Sequence, residues 1–136
     1  MDYRGYCLWA PDIPSVDAPH FVVVSSSKNP QQQYLVVAIS SIKYNDMGKA
    51  KYYDDACVLL EDDIKDEKGN NILSKPSFIR YQYALAMDVD ELLKKQVIGG
   101  YKLKCKINDD VLRRIQEGAK ISRELSPRLR AFFDYF

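Results

Sequence analysis

Two aliphatic runs, Phe21-Val22-Val23-Val24 and Tyr34-Leu35-Val36-Val37-Ala38-Ile39, constrain this chain more than any other feature. Valine and isoleucine lose χ1 freedom in a helix and pack well on a pleated surface, so each run reads as a buried strand. The string Ser26-Ser27-Lys28-Asn29-Pro30 between them is rich in turn formers, which makes the pair a β-hairpin within a small sheet. His20, the only histidine, enters the first strand, and Ser40 and Ser41 leave the second. Antiparallel pairing brings them to one end of the hairpin, a place where a β scaffold can carry a site.

At 136 residues the chain is read as one domain spanning residues 1–136, long enough to bury a core without disulfide or metal staples. A hydrophobic share of 46% with 29% charged residues is that of a soluble globular protein. The formal net charge of +1 advertises no bulk field for nucleic acid or membrane, so any basic surface has to be a local patch. Cys7, Cys57 and Cys105 are scattered and odd in number, without CxxC spacing, which argues against a disulfide framework and a zinc site and for reduced, buried thiols. No segment approaches the ~18 apolar residues of a membrane helix, and Met1-Asp2-Tyr3-Arg4 does not open a signal peptide. A cytoplasmic, non-membrane protein is expected.

Gly5 to Ala10 reads as a first strand stopped by Pro11 and Pro14, with a loop to Ala18. Ile42 to Asp55 is polar and tyrosine-rich, with a turn at Asp46-Met47-Gly48, and Ala56 to Leu60 resumes as a strand. Glu61 to Asn71 is a charged run expected to form a solvated loop or hairpin tip; its carboxylates are not spaced as metal ligands. Ser77 to Met87, aromatic and β-branched after Pro76, is a long strand. The period changes at Asp88, where Glu91 completes a capping-box pattern, Leu92, Leu93 and Val97 form an apolar face, and Gly99-Gly100 ends the helix. Tyr101 to Ile107 alternates apolar residues with lysine, a strand period, and Asn108 caps a helix with the stripe Val111, Leu112, Ile115 and Ala119. Ser126-Pro127 can open a last short helix.

Several strings in this order resemble the MazF/PemK family of toxins from bacterial toxin–antitoxin systems. Gly5 stands where the family's first strand has its glycine, His20-Phe21 precedes Val22-Val23-Val24 where the family has Arg-Pro, and Ala38-Ile39-Ser40 ends the third strand where the family has a hydrophobic-Ile-Thr string. Cys57-Val58-Leu59, Ser77-Phe78-Ile79-Arg80-Tyr81 and Leu112-Arg113-Arg114-Ile115-Gln116-Glu117-Gly118 are similar to strings of a divergent branch, so the likeness runs over residues 5–122. It implies an α+β fold, a small SH3-like β-barrel with two or three short helices mainly in the C-terminal half. It also implies a homodimer that cleaves single-stranded RNA without metal or other cofactor and is held in check by an acidic antitoxin.

Carried over residue by residue, the family's catalytic arginine falls on His20 and its phosphate-contacting threonine on Ser40. Serine keeps the hydroxyl. Imidazole replaces a permanent cation by a group that titrates near a pKa of about 6.5, which suits it to act as a general acid or base in 2′-hydroxyl attack on a phosphodiester. Lys43, Lys75 and Arg80 are candidate phosphate contacts, because RNA binding needs local cations to replace counterions, and Ser41 is a further candidate RNA contact. Tyr81, with Tyr44, Tyr52 and Tyr53, is a candidate to stack on unpaired bases, although ten tyrosines also suit a core and a dimer interface. Two functions stay open: the RNA-cleaving toxin, and a non-catalytic member of the same fold that binds RNA or a protein such as an antitoxin or gyrase. The gyrase-directed CcdB toxins act through a C-terminal aromatic tail, and Phe132-Phe133-Asp134-Tyr135-Phe136 is aromatic without matching it.

Overall fold

The computed structural model describes residues 1–136 apart from Ser15 and Asp17. Six strands, β1 (Tyr6–Ala10), β2 (His20–Val24), β3 (Gln33–Ser41), β4 (Val58–Leu59), β5 (Ser77–Asp88) and β6 (Lys102–Lys106), form one sheet in the order β4-β5-β3-β2-β1-β6. Every pairing is antiparallel. Helix α1 (Val89–Val97), helix α2 (Asp109–Ile121) and 3₁₀ segments at Glu61–Asp63 and Pro127–Tyr135 complete an α+β fold whose sheet curls into a half-barrel.

The uninterrupted valine runs have a direct cause: this sheet is covered on both sides. Val23, Val37 and Ile39 face a core closed by α2 and the last 3₁₀ segment through Val111, Ile115, Leu129 and Phe132. Val22, Val24, Val36 and Ala38 face a second core closed by Tyr3, Leu92 of α1 and Tyr101. A strand buried on both faces has no polar alternate positions, so period-2 patterning disappears from β2 and β3 and survives only on the edge strand β6. Ile115 is fully buried, and burial of a side chain of that size stabilises by about 2 kcal/mol.

Strand β5 is bent. It pairs with β3 at Arg80↔Ala38 and again at Leu85↔Val36, so Tyr81, Gln82, Tyr83 and Ala84 lie opposite the single residue Val37. Extra residues on one strand raise the local twist and re-aim side chains, and here they curl the sheet and drop the Tyr81 ring into the core. Its hydroxyl donates to Ile115 O of α2 at 2.6 Å. Gly118 makes this approach possible, because a Cβ there would run into Tyr81 Oη and stand 2.9 Å from Cys57 Cβ.

Several expectations need correction. The strand expected over Ala56 to Leu60 is only Val58–Leu59, because its outer edge is closed by a side chain: Arg114 Nη2 donates to Val58 O at 2.8 Å. The charged run after it does form the expected hairpin tip, with Lys65 bridged antiparallel to Asn71 around a turn at residues 66–69. Its first part, however, is a 3₁₀ turn in which Asp63 Oδ2 accepts from Leu60 N at 2.7 Å, and Ile64 is fully buried. On α1 only Leu92 is buried, while Leu93 is 44% and Val97 80% exposed, because the helix touches the sheet along a stripe narrower than its apolar residues. Asp88 occupies the N-cap of α1 without a side-chain cap bond, whereas Asn108 of α2 accepts from Val111 N–H at 2.8 Å as expected. All three cysteines are free and buried, and Cys7 and Cys105 meet as cross-strand partners. No helix among the described residues is long and apolar enough to cross a membrane.

Candidate functional site

The registers Phe21↔Ile39 and Ser40↔Phe78 bring the start of β2, the end of β3 and the start of β5 to one end of the sheet. There the surface opens into a groove of about 500 Å³. His20, Ser40, Ser41, Lys43, Lys75, Arg80 and Tyr52, seven of the ten candidates singled out from the sequence, line it together. Lys51, Ser74 and Ser77 join them, with Trp9, Phe21, Tyr52 and Phe78 as aromatic walls, and among the described residues no aspartate or glutamate lines it. In a chain whose charges otherwise nearly cancel, four cations with no carboxylate among the described lining residues form a local positive field suited to an anion.

His20 is half-buried and oriented from two sides. Its Nδ1 lies 3.0 Å from Ala18 O, and its ring meets the Tyr83 ring edge to face at 5.7 Å. A nitrogen facing a carbonyl oxygen carries the hydrogen, so neutral His20 holds its lone pair on Nε2, the arrangement a general base needs. Arg80 packs on the same tyrosine, its guanidinium carbon 4.3 Å from the Tyr83 ring centroid. Tyr83 therefore fixes both the imidazole and the guanidinium without neutralising either. Lys43 Nζ donates to Ser41 Oγ at 3.0 Å, which holds that cation at the rim of the groove.

Ser40 is the anomaly. Its Oγ is buried and is the one such side-chain atom among the described residues with no hydrogen-bond partner. A buried hydroxyl left unpaired costs roughly 1–3 kcal/mol, and this one sits at the strand end that lines the groove.

Tyr81 is a correction. Expected to stack on RNA, it is instead fully buried and hydrogen-bonded beneath α2, and burial drives its hydroxyl pKa up. Successive side chains of a strand point to opposite faces, so the neighbour of Arg80 points away from the groove. Tyr44 is exposed outside the groove lining, and Tyr53 is half-buried with its ring tilted on Phe78 at 5.6 Å. Tyr52 alone of the four lines the groove, and it is 85% exposed. Its hydroxyl donates to Glu124 Oε1 at 2.8 Å, and that bond to the carboxylate raises its pKa.

Sequence reasoning missed Tyr83, Lys51 and Ser74. Lys51-Tyr52 is a cation beside an aromatic in the same segment as Lys43, a signal that was present. Among the described residues no group of three or more His, Cys, Asp or Glu is placed to hold a metal ion. Compared with protein-family models, curated proteins and solved structures, the chain matches none.

Proposed function

We propose that this chain is a metal-independent endoribonuclease that cleaves single-stranded RNA, the toxin of a toxin–antitoxin pair built on a MazF/PemK-like, SH3-like barrel. The observation that supports this reading most is the Ser40 hydroxyl, buried beside His20 without a partner among the described residues, in a groove whose described lining has four cations and no carboxylate. Lys43, Lys51, Lys75 and Arg80 replace the counterions of the RNA backbone. Ser40 Oγ donates to a non-bridging oxygen of the scissile phosphate. His20 Nε2 takes the proton of the adjacent 2′-hydroxyl as that oxygen attacks phosphorus. The bond from phosphorus to the 5′-oxygen breaks, and the leaving oxygen takes up a proton, giving a 2′,3′-cyclic phosphate and a 5′-hydroxyl. Arg80, held on Tyr83, stabilises the extra negative charge of the phosphorane.

The acidic antitoxin of this reading is a flexible chain that lays carboxylates into the same groove. The homodimer it assumes is checked by sedimentation at micromolar concentration, where a strict monomer would remove the shared RNA groove. The deciding experiment is cleavage of single-stranded RNA in EDTA. Wild type is expected to cut at a rate that depends on pH, and His20→Ala to lose ~10²–10⁴-fold. His20→Arg restores a permanent cation without an exchangeable base, so the pH dependence flattens. Cleavage indifferent to His20→Ala would overturn the mechanism. RNA or acidic-peptide binding with no cleavage would instead favour the non-catalytic member of the fold. A gyrase-directed tail has less to support it: Phe132 is buried, and Phe133 and Phe136 pack on the core.

A further inference from the structure

Beside the groove lies a smaller cavity of about 120 Å³ that shares Tyr52, Phe78 and Arg80 with it. Its chemistry is the reverse. Where the groove has no carboxylate among its described lining residues, this cavity is lined by Asp54 and Glu124, with the side-chain amide of Gln82. Asp54 is occupied, accepting from Ala56 N–H at 3.0 Å and from Ser122 Oγ at 2.6 Å. Glu124 uses only Oε1, toward Tyr52, so Oε2 has no protein donor among the described residues. Gln82 is exposed, and its amide likewise has no partner among the described residues. Tyr52 stands between the two cavities with its ring largely in solvent.

We propose that this cavity is a nucleobase subsite that selects guanine over uracil, with the backbone phosphate of the same strand lying in the groove. The inference rests on the RNA reading of the groove. A wall of carboxylate repels phosphate but not a neutral base, so the opposite charge of the two cavities sorts base from backbone. Guanine presents two adjacent donors, N1–H and the N2 amino group, which one carboxylate accepts together, and its O6 accepts from the Gln82 amide. Uracil presents a single N–H between two carbonyl oxygens, and those oxygens face the Glu124 carboxylate unfavourably. Adenine and cytosine offer one amino group each and fall between. Tyr52 supplies the stacking face.

The test uses binding, so that catalysis plays no part. Fluorescence anisotropy at fixed salt measures uncleavable 2′-fluoro tetranucleotides: four uracils, and the same strand with one position changed to guanine, adenine or cytosine. Wild type is expected to favour the guanine strand over all-uracil by about 5- to 150-fold. Glu124→Gln keeps an acceptor for the Tyr52 hydroxyl while removing the charge. It should reduce the guanine preference to within about threefold, in part by raising all-uracil affinity, because the carboxylate no longer opposes the uracil carbonyl oxygens. Gln82→Ala should lower the preference less. Lys75→Glu should weaken all four strands alike. Equal affinity of wild type for the four strands, or a guanine preference untouched by Glu124→Gln, overturns the subsite while leaving the groove reading intact. Failure of every strand to bind overturns the RNA reading and the subsite with it.

Discussion

Arg114 and Arg80 flank the same β4–β5 pair, and their surroundings differ in one respect that decides what each does. Arg114 donates to Asp63 Oδ1 at 3.0 Å, to Asp63 Oδ2 at 3.2 Å and to Val58 O at 2.8 Å. Its charge and its hydrogen-bonding directions are spent on closing the edge of the sheet. Arg80 lies over Tyr83 with no carboxylate partner among the described residues. The serines divide the same way: Ser122 Oγ donates to Asp54, while Ser40 Oγ donates to nothing. Polar groups already paired within the chain hold the fold. Those that the fold positions but leaves unpaired are the ones a ligand can use.

The largest effect that sharpens this contrast lies on the paired side. Gly118→Ala gains roughly 1 kcal/mol of helix propensity. Its Cβ, however, would run into Tyr81 Oη and stand 3.0 Å from Ala56 O, a backbone atom with little room to give. Overpacking costs about 1–3 kcal/mol, and disturbing the Tyr81 to Ile115 hydrogen bond roughly 1–3 more. Steric loss exceeds propensity gain, so a net destabilisation of about 2–4 kcal/mol is expected, a fall in Tm on the order of 10 °C. A Tm equal to or above wild type in a thermal melt would show that Tyr81 is not held against α2 as described.

Ser40→Ala comes next and acts in the opposite sense. Removal of a paired hydroxyl destabilises, whereas removal of a buried, unpaired one relieves a desolvation penalty, so Tm should stay level or rise by a few degrees. RNA cleavage should fall, by about one hydrogen bond to a charged oxygen or roughly 1.5–3 kcal/mol of barrier. The two readouts moving apart is the signature of a group reserved for ligand. A Tm that drops together with activity would place Ser40 with Ser122, among the structural serines.

The chain order was enough to bring His20 and Ser40 together, because hairpin register fixes which strand ends meet. Lys43, Lys75 and Arg80 followed, being within a few residues of those ends in β3 and β5. What did not follow comes from backbone that no periodicity specifies. Lys51 and Ser74 lie in irregular segments whose path is set by packing, so no periodicity placed them on the groove wall. Tyr81 shows a different failure. Alternation along β5 puts it on the face opposite Arg80, yet composition alone marked it as a stacking residue. The apolar stripe of α1 was overread for a third reason: Leu93 and Val97 share a helix with Leu92, but only the tertiary contact decides which of them is covered. The sheet order, with β6 crossing to pair with β1, rests on a long-range pairing that local patterning does not encode.

The smallest expected effect tests the Arg114 corner itself by pH. Burial pushes the Asp63 carboxyl pKa up, but hydrogen bonds from Arg114 and from Leu60 N–H, with the Arg114 charge, outweigh it and hold the pKa below the ordinary value. A carboxyl whose folded pKa is depressed binds protons more readily in the unfolded chain. Its contribution is therefore fully present above the unfolded pKa of about 3.9 and is lost as pH falls through the folded value. Asp63 is 19% and Arg114 39% exposed, so solvent screens the pair and about 1 kcal/mol is expected. Wild type should exceed Asp63→Asn in Tm by a few degrees at pH 7 and lose that margin as pH falls through and below the ordinary carboxylate range. Asp66, whose pKa is also lowered, is present in both proteins and cancels in the difference. Arg80→Ala provides the counterpart: with no ion pair to a carboxylate among the described residues, its Tm difference from wild type should change little across the same acid range. A margin for Asp63→Asn that does not shrink as pH falls below the ordinary carboxylate range, or a strongly acid-dependent one at Arg80, would erase the distinction between a cation the fold neutralises and a cation it keeps for a ligand.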